Sequence, residues 1–181
     1  MKIICAGLSK TGTTSMAKAL EILGFKVYDW KEHVTIHVDE WLVLYLKGKT
    51  PDFASMYKDV DAVTDIPANI NFWYEEILQA FPDAKVILSV RDSEDAWLKS
   101  FVRENDVEML SNDGFLVRWL LRNWSHPKYY ALLYCSKLAA VGSLQTVEST
   151  VLLRKKYREY NERVQTVIPK ERLLVYNVKQ G

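Results

Sequence analysis

The stretch Lys2-Ile3-Ile4-Cys5-Ala6-Gly7-Leu8-Ser9-Lys10-Thr11-Gly12-Thr13-Thr14-Ser15-Met16-Ala17-Lys18-Ala19-Leu20 decides the fold. Lys2 to Ala6 is an apolar run of strand length, continuous enough to be buried on both faces. Gly7 to Ser15 is a loop of glycines and hydroxyl residues. From Thr13 to Leu23, the residues Met16, Ala17, Leu20 and Leu23 recur on one face of a helix, and Gly24 stands where the helix should stop. A strand feeding such a loop into a helix aims several backbone N–H groups at one point, and the positive end of the helix dipole adds to them. Gly7 and Gly12 allow close approach of a ligand. Thr13, Thr14 and Ser15 add hydroxyl donors, and Lys10 adds a full positive charge. The pattern predicts an anion cradle; the alternative is a turn whose serines and threonines only cap the helix.

Outward from this stretch, apolar runs and helical periodicity alternate. Phe25 to Tyr28 and Asp61 to Thr64 read as short strands, with Asp65 at the end of the second and Pro67 preventing its continuation. Residues 31–60 hold short helices around Trp41 to Leu46 and Phe53 to Lys58. Asn71 to Phe81 is helical and closed by Pro82. Lys85 to Val90 is the central strand, Arg91 follows it, and a helix begins near Ser93 or Asp95. Residues 107–140 are helical with breaks at Gly114 and Pro127. A long helix spans Leu144 to Val167, ended by Pro169, and Leu173 to Tyr176 is the last strand. The expected fold is α/β: a P-loop-like parallel sheet of about five strands flanked by helices, with a helical insertion. Ligands in such sheets lie beyond the carboxyl ends of the strands. Gly7–Ser15, Asp65 and Arg91 all fall at that edge.

The chain has 181 residues, suited to one domain over 1–181, and 49% hydrophobic with 26% charged residues is an ordinary globular balance. A net charge of +1 offers no global field for nucleic acid or an anionic membrane, so any anion site must be local. Cys5 and Cys135 belong to no CxxC or Cys/His cluster and are expected to be buried reduced thiols. The opening apolar run is too short for a signal peptide, and no segment reaches the length of a membrane span; a cytoplasmic protein is expected.

The loop spacing narrows the chemistry. A nucleotide triphosphatase loop, GxxxxGK[ST], carries its lysine directly after the second glycine and a hydroxyl for Mg²⁺. Here Gly7 and Gly12 keep the spacing, but Thr13 takes the lysine position and Lys10 lies two residues ahead of Gly12. That disfavours a triphosphate kinase. A sulfuryl group carries less charge than a γ-phosphoryl group, so one lysine and a ring of N–H donors suffice to hold the leaving oxygen without a metal.

At these residues the sequence resembles the P-loop sulfotransferases that use 3′-phosphoadenosine 5′-phosphosulfate. Lys10 to Ser15 matches their 5′-phosphosulfate loop. More closely it is similar to a short branch of that family, through Ala6 to Thr13, Asp65-Ile66-Pro67, Phe81 to Asp92, and Arg172 to Val175. The resemblance implies that Ser9, Lys10, Thr11, Gly12, Thr13, Thr14 and Ser15 bind the phosphosulfate and that Lys10 stabilises the transition state. It implies that Arg91 binds the 3′-phosphate, helped by a serine on the next helix. The family's serine lies eight residues after the arginine, where this chain has Lys99; Ser100 is one residue later and takes its place. Relatives continue past the last strand with a further segment, and this sequence stops at Gly181.

Transfer to a small-molecule acceptor calls for a base. Asp65 is the candidate, with a turn aspartate ahead of Pro67 as its other reading; His33 and His37 are the other candidates. Those histidines, four apart, would share a helix face and line the acceptor pocket or lie on the surface, and no metal is expected. Trp30, Trp41, Trp73, Trp119 and Trp124 are either an apolar acceptor pocket or core packing. Arg154-Lys155-Lys156 reads as a solvated helix face. A small-molecule kinase and a non-catalytic nucleotide-binding module are the competing classes.

Overall fold

The computed structural model describes residues 1–110, 126–141 and 149–179. Five strands form one parallel sheet: β1 (Ile3–Cys5), β2 (Val27–Tyr28), β3 (Ala62–Val63), β4 (Lys85–Ser89) and β5 (Leu173–Tyr176), in the spatial order β2-β3-β1-β4-β5. Strand β1 pairs with β3 through Ile3↔Ala62 and Ile4↔Val63, and with β4 through Ile4↔Val86 and Cys5↔Ile87. The chain order reverses across β1, which makes its carboxyl end the switch point where such sheets open a crevice. The register sets the ends of β1, β3 and β4 side by side. Gly7, Asp65 and Arg91 therefore lie at one edge, as their places in the sequence predict.

Between the strands run α1 (Thr13–Ile22), α2 (Trp30–Thr35), α3 (Val38–Lys47), α4 (Phe53–Met56), α5 (Trp73–Ala80), α6 (Glu94–Leu110), α7 (Pro127–Val141) and α8 (Thr150–Val167). Helix α1 covers one sheet face, where Met16 and Leu20 meet Cys5, Ala62 and Ile87. The opposite face carries the larger core, with Ile4, Val86, Leu88, Tyr74, Trp97, Tyr160 and Val164 buried against one another. Ion pairs Arg158–Glu94 and Arg154–Asp95 join α8 to α6 at the surface.

Strands β1 to β4 are one or two residues shorter than the runs that announce them, whereas β5 has the bounds read from the sequence. Two further departures have local causes. Residues 30–35 form a helix of their own, started by a reciprocal cap in which Asp29 and Glu32 satisfy each other's backbone N–H groups. The break read at Pro127 is there: residue 126 is not helical, and Pro127 opens α7, the position where a missing N–H costs nothing. The helix expected over Asn71 to Phe81 starts as a 3₁₀ turn at Asn69–Asn71, and α5 follows only after Phe72 at φ 67°. Gly114, Trp119, Trp124 and the expected helical residues 144–148 lie outside the described residues.

Candidate active site at the carboxyl edge of the sheet

The loop after β1 is held by its carbonyl groups. Tyr160 Oη and Asn69 Nδ2 both donate to Ala6 O, at 2.6 and 3.1 Å. Thr11 Oγ1 donates to Leu8 O at 2.6 Å; its one hydrogen is thereby used, so Ser89 Oγ is the donor in the 2.7 Å bond between the two hydroxyls. Trp97 Nε1 donates to Ser9 O at 2.9 Å, and Arg91 Nε donates to Lys10 O. In a trans peptide the N–H points opposite the carbonyl. Drawing these oxygens into the protein turns the amides of Gly7, Ser9 and Lys10 the other way. The Thr11 amide bonds back to Leu8 O and closes the turn.

Helix α1 completes the cradle. Its cap is Gly12, at φ 100°, which has no side chain to bond the first amides, so the N–H groups of Thr13, Thr14 and Ser15 keep the open ends that every helix start leaves. Thr14 and Ser15 are exposed there, whereas Thr13 is buried. Gly7 is required by contact: a Cβ at that position would stand 1.9 Å from Ser89 Oγ and 2.9 Å from Thr11 Oγ1. Lys10 sits at φ 69°, one of four non-glycine residues with positive φ among those described; Asp65, at φ 50°, is another. Left-handed backbone costs about 1–3 kcal/mol at such residues and tends to gather at functional sites. Both sequence-predicted catalytic residues have it.

Asp65 lies two residues beyond β3 and is half-buried. Burial foremost, then the nearby Asp29 carboxylate, pushes its pKa up from 3.8 to about 6, while Lys10 pulls the other way. The ammonium of Lys10 is thus within electrostatic reach of the carboxylate. Asp29 is itself raised by burial, but its carboxylate is occupied in accepting the Trp30 amide at 2.8 Å.

His33 does not line a pocket or lie on the surface, as the sequence suggested: it is wholly buried. Its Nε2 lies 3.2 Å from Thr64 O, which can only accept, so Nε2 carries the hydrogen and Nδ1 accepts from Tyr57 Oη at 3.3 Å. Burial depresses its pKa to about 3 and keeps the ring neutral. A ring with both nitrogens engaged and no access to solvent has no part in abstracting an acceptor proton. Its effect is to tie down the carbonyl next to Asp65. His37 does not share a helix with His33. It caps α3, is buried against Tyr28 and Tyr57, and places Nδ1 3.5 Å from Glu40. Nor does Trp41 form a pocket wall: it is fully buried, in ring contact with His33, Phe53 and Trp73.

Arg91 follows β4, its side chain against the loop and its backbone N–H bonded to Tyr157 Oη at 3.0 Å. Ser100 lies on α6, three residues past Trp97 and so on the helix face that carries Trp97 to the loop. Trp97, Tyr157, Tyr160 and Asn69 escape sequence reasoning. They come from three distant segments, and only folding shows that their polar ends converge on one loop. Beyond β5, Val178 covers Gly12, and Asn177 and Lys179 both bind Asp92 at 2.7 Å.

An amide-lined loop at the switch point of a five-stranded parallel sheet defines the class, a P-loop-like α/β domain. Comparison with known proteins gives the family. A sulfotransferase domain model matches residues 2–181. The chain is also 31% identical over 196 residues to Ava biosynthesis cluster protein M of Aspergillus versicolor, an alignment spanning all of this chain and 73% of that protein. The chain belongs to the sulfotransferase domain family. No helix among the described residues is long and apolar enough to cross a membrane.

Proposed function

We infer that the protein moves a sulfuryl group from 3′-phosphoadenosine 5′-phosphosulfate to a hydroxyl or amine of a small-molecule acceptor. The loop carries this assignment: its carbonyls are clamped inward, the start of α1 opens toward the carboxyl edge of the sheet, and its lysine precedes the second glycine. Arg91 on the same edge suits a second phosphate, because its planar fork pairs two oxygens at once. The family supports sulfuryl transfer, and the relative's name, a biosynthesis cluster protein, supports a small-molecule acceptor.

Each residue then has a task. Ser9, Lys10, Thr11, Gly12, Thr13, Thr14 and Ser15 hold the 5′ end, and Arg91 with Ser100 holds the 3′-phosphate. Lys10 steadies the charge that grows on the departing 5′-phosphate oxygen. Asp65 takes the acceptor proton as the acceptor atom bonds to sulfur and the sulfur–oxygen bond to the phosphate breaks. A pKa near 6 leaves this carboxylate ionised at neutral pH yet more basic than an exposed aspartate.

Calorimetry tests the donor. The wild type should bind 3′-phosphoadenosine 5′-phosphate better than ATP·Mg²⁺, and both Lys10→Ala and Arg91→Ala should lose that preference. Equal or tighter binding of ATP·Mg²⁺ would overturn the assignment in favour of a kinase. Binding without transfer to any of a panel of phenols, alcohols and amines would favour a nucleotide-binding module.

A further inference from the structure

Trp97 is 1% exposed, and the rings of Tyr157 and Phe101 both stack on it, with centroids 4.7 and 4.9 Å away. An indole buried in this way offers no open face to a nucleotide base. What it does offer is its N–H edge, spent on Ser9 O in the middle of the loop. Tyr157, stacked on the same indole, gives its hydroxyl oxygen to the backbone N–H of Arg91. One aromatic pair therefore touches both anion-binding elements. Trp97, from α6, fixes the loop after β1, and Tyr157, from α8, fixes the turn after β4 from which Arg91 extends.

We propose that Trp97 and Tyr157 are positioning residues that set the distance between the two anion sites, and so select a nucleotide phosphorylated at both its 5′ and 3′ ends. The proposal rests on the donor assignment above. Neither ring needs to touch the ligand. Trp97 holds the Ser9–Lys10 peptide plane in the middle of the loop. Tyr157 prevents the Arg91 backbone from drifting relative to that loop, and Arg91 Nε closes the circuit on Lys10 O. Tyr157 Oη has its pKa raised mainly by burial, so it stays a neutral hydroxyl over the working range.

The test separates two losses in full-length protein. Trp97→Phe keeps a stacked ring and removes only the N–H; Tyr157→Phe removes only the hydroxyl. Binding of 3′-phosphoadenosine 5′-phosphate and of adenosine 5′-phosphate is measured by calorimetry, with thermal melts establishing that each variant is folded. Trp97→Phe should weaken both ligands by about fivefold or more, the loss of one hydrogen bond. Tyr157→Phe should weaken the bisphosphate by a similar factor and leave the monophosphate within twofold, a split that mere loss of packing would not produce. Bisphosphate binding unchanged in both variants, or both ligands weakened equally by Tyr157→Phe, would overturn the proposal while leaving the donor assignment intact. A wild type that does not prefer the bisphosphate over the monophosphate overturns both. Should Trp97→Phe fail to fold, the ligand split in Tyr157→Phe decides the matter.

Discussion

In the Gly7–Ser15 loop the backbone carbonyls are held by side chains from α6, α8, the Asn69 turn and Arg91 after β4, which turns peptide N–H groups toward the carboxyl edge of the sheet. At Asp65 the relation is reversed. There a half-buried carboxylate lies within electrostatic reach of Lys10, and its neighbour Thr64 O is held by a buried neutral histidine. The loop is well held, since the carbonyls of Ala6, Leu8, Ser9 and Lys10 each find a donor. The carboxylate is destabilised, because burial and Asp29 both oppose its charge. In the proposed reaction the two tasks are separated in this way: rigid dipoles would hold the ligand, and a destabilised charge would serve the chemistry.

The largest expected effect tests the reactive side of that contrast. Asp65→Asn should lower sulfuryl transfer by about 10²–10⁴-fold with little change in bisphosphate affinity, as loss of a general base does. In the wild type, transfer should fall as pH drops through about 6 and Asp65 takes up a proton. The same variant should melt higher than wild type at pH 7–8. The folded-state pKa, about 6, lies above the ordinary 3.8, so the folded protein binds the proton more tightly and ionisation weakens it as pH rises. That advantage should vanish below about pH 4. Full transfer activity in the Asp65→Asn variant would leave the carboxylate a turn residue only.

Arg91→Ala comes next, and tests whether the loop is as independent of its supports as its dipoles suggest. It removes a charged group from the ligand and a donor from Lys10 O, and should weaken the bisphosphate by about 30- to 100-fold in calorimetry, the range of one charge-assisted bond and an orphaned carbonyl. Gly7→Ala acts on packing alone. With its Cβ driven into Ser89 and Thr11, it should cost about 1–3 kcal/mol in denaturant unfolding and perturb bisphosphate binding as well.

The smallest effect concerns the support of Asp65. Tyr57→Phe removes the hydroxyl that His33 Nδ1 accepts from and should cost about 1 kcal/mol of stability. His33 adds a sign of its own. Its folded pKa, about 3, lies below the ordinary 6.5, so the unfolded chain binds the proton first and stability is lost as pH falls from 6.5 toward 3. His33→Gln should flatten that acid limb in thermal melts taken across the range. An unchanged limb would assign it to other groups.

Much of this was legible in one dimension. The β1–loop–α1 unit is read from local pattern, since strand period, glycines and helix face all lie within about twenty residues and obey local rules. Asp65 and Arg91 were placed by a second local cue, each standing where an apolar run ends. The histidines misled because His33 and His37, four apart, imitate a helical pair, whereas the chain breaks between α2 and α3 at Ile36–His37. Trp97 carries no sequence cue, because a helical tryptophan looks the same in one dimension whether its N–H meets solvent or a loop carbonyl.

The sequence by itself determined a glycine-rich turn between strand and helix at the edge of a parallel sheet, with a lysine in the turn and an arginine one strand away, because short-range backbone geometry and strand termini specify those. Only the tertiary structure decided how the turn is held open. Ala6 O is fixed from residue 160 and Ser9 O from residue 97, separations over which no residue pattern reports a hydrogen bond. Tertiary packing likewise decided that His33 is neutral and Asp65 hard to ionise, since burial, which sets both, belongs to the folded chain alone.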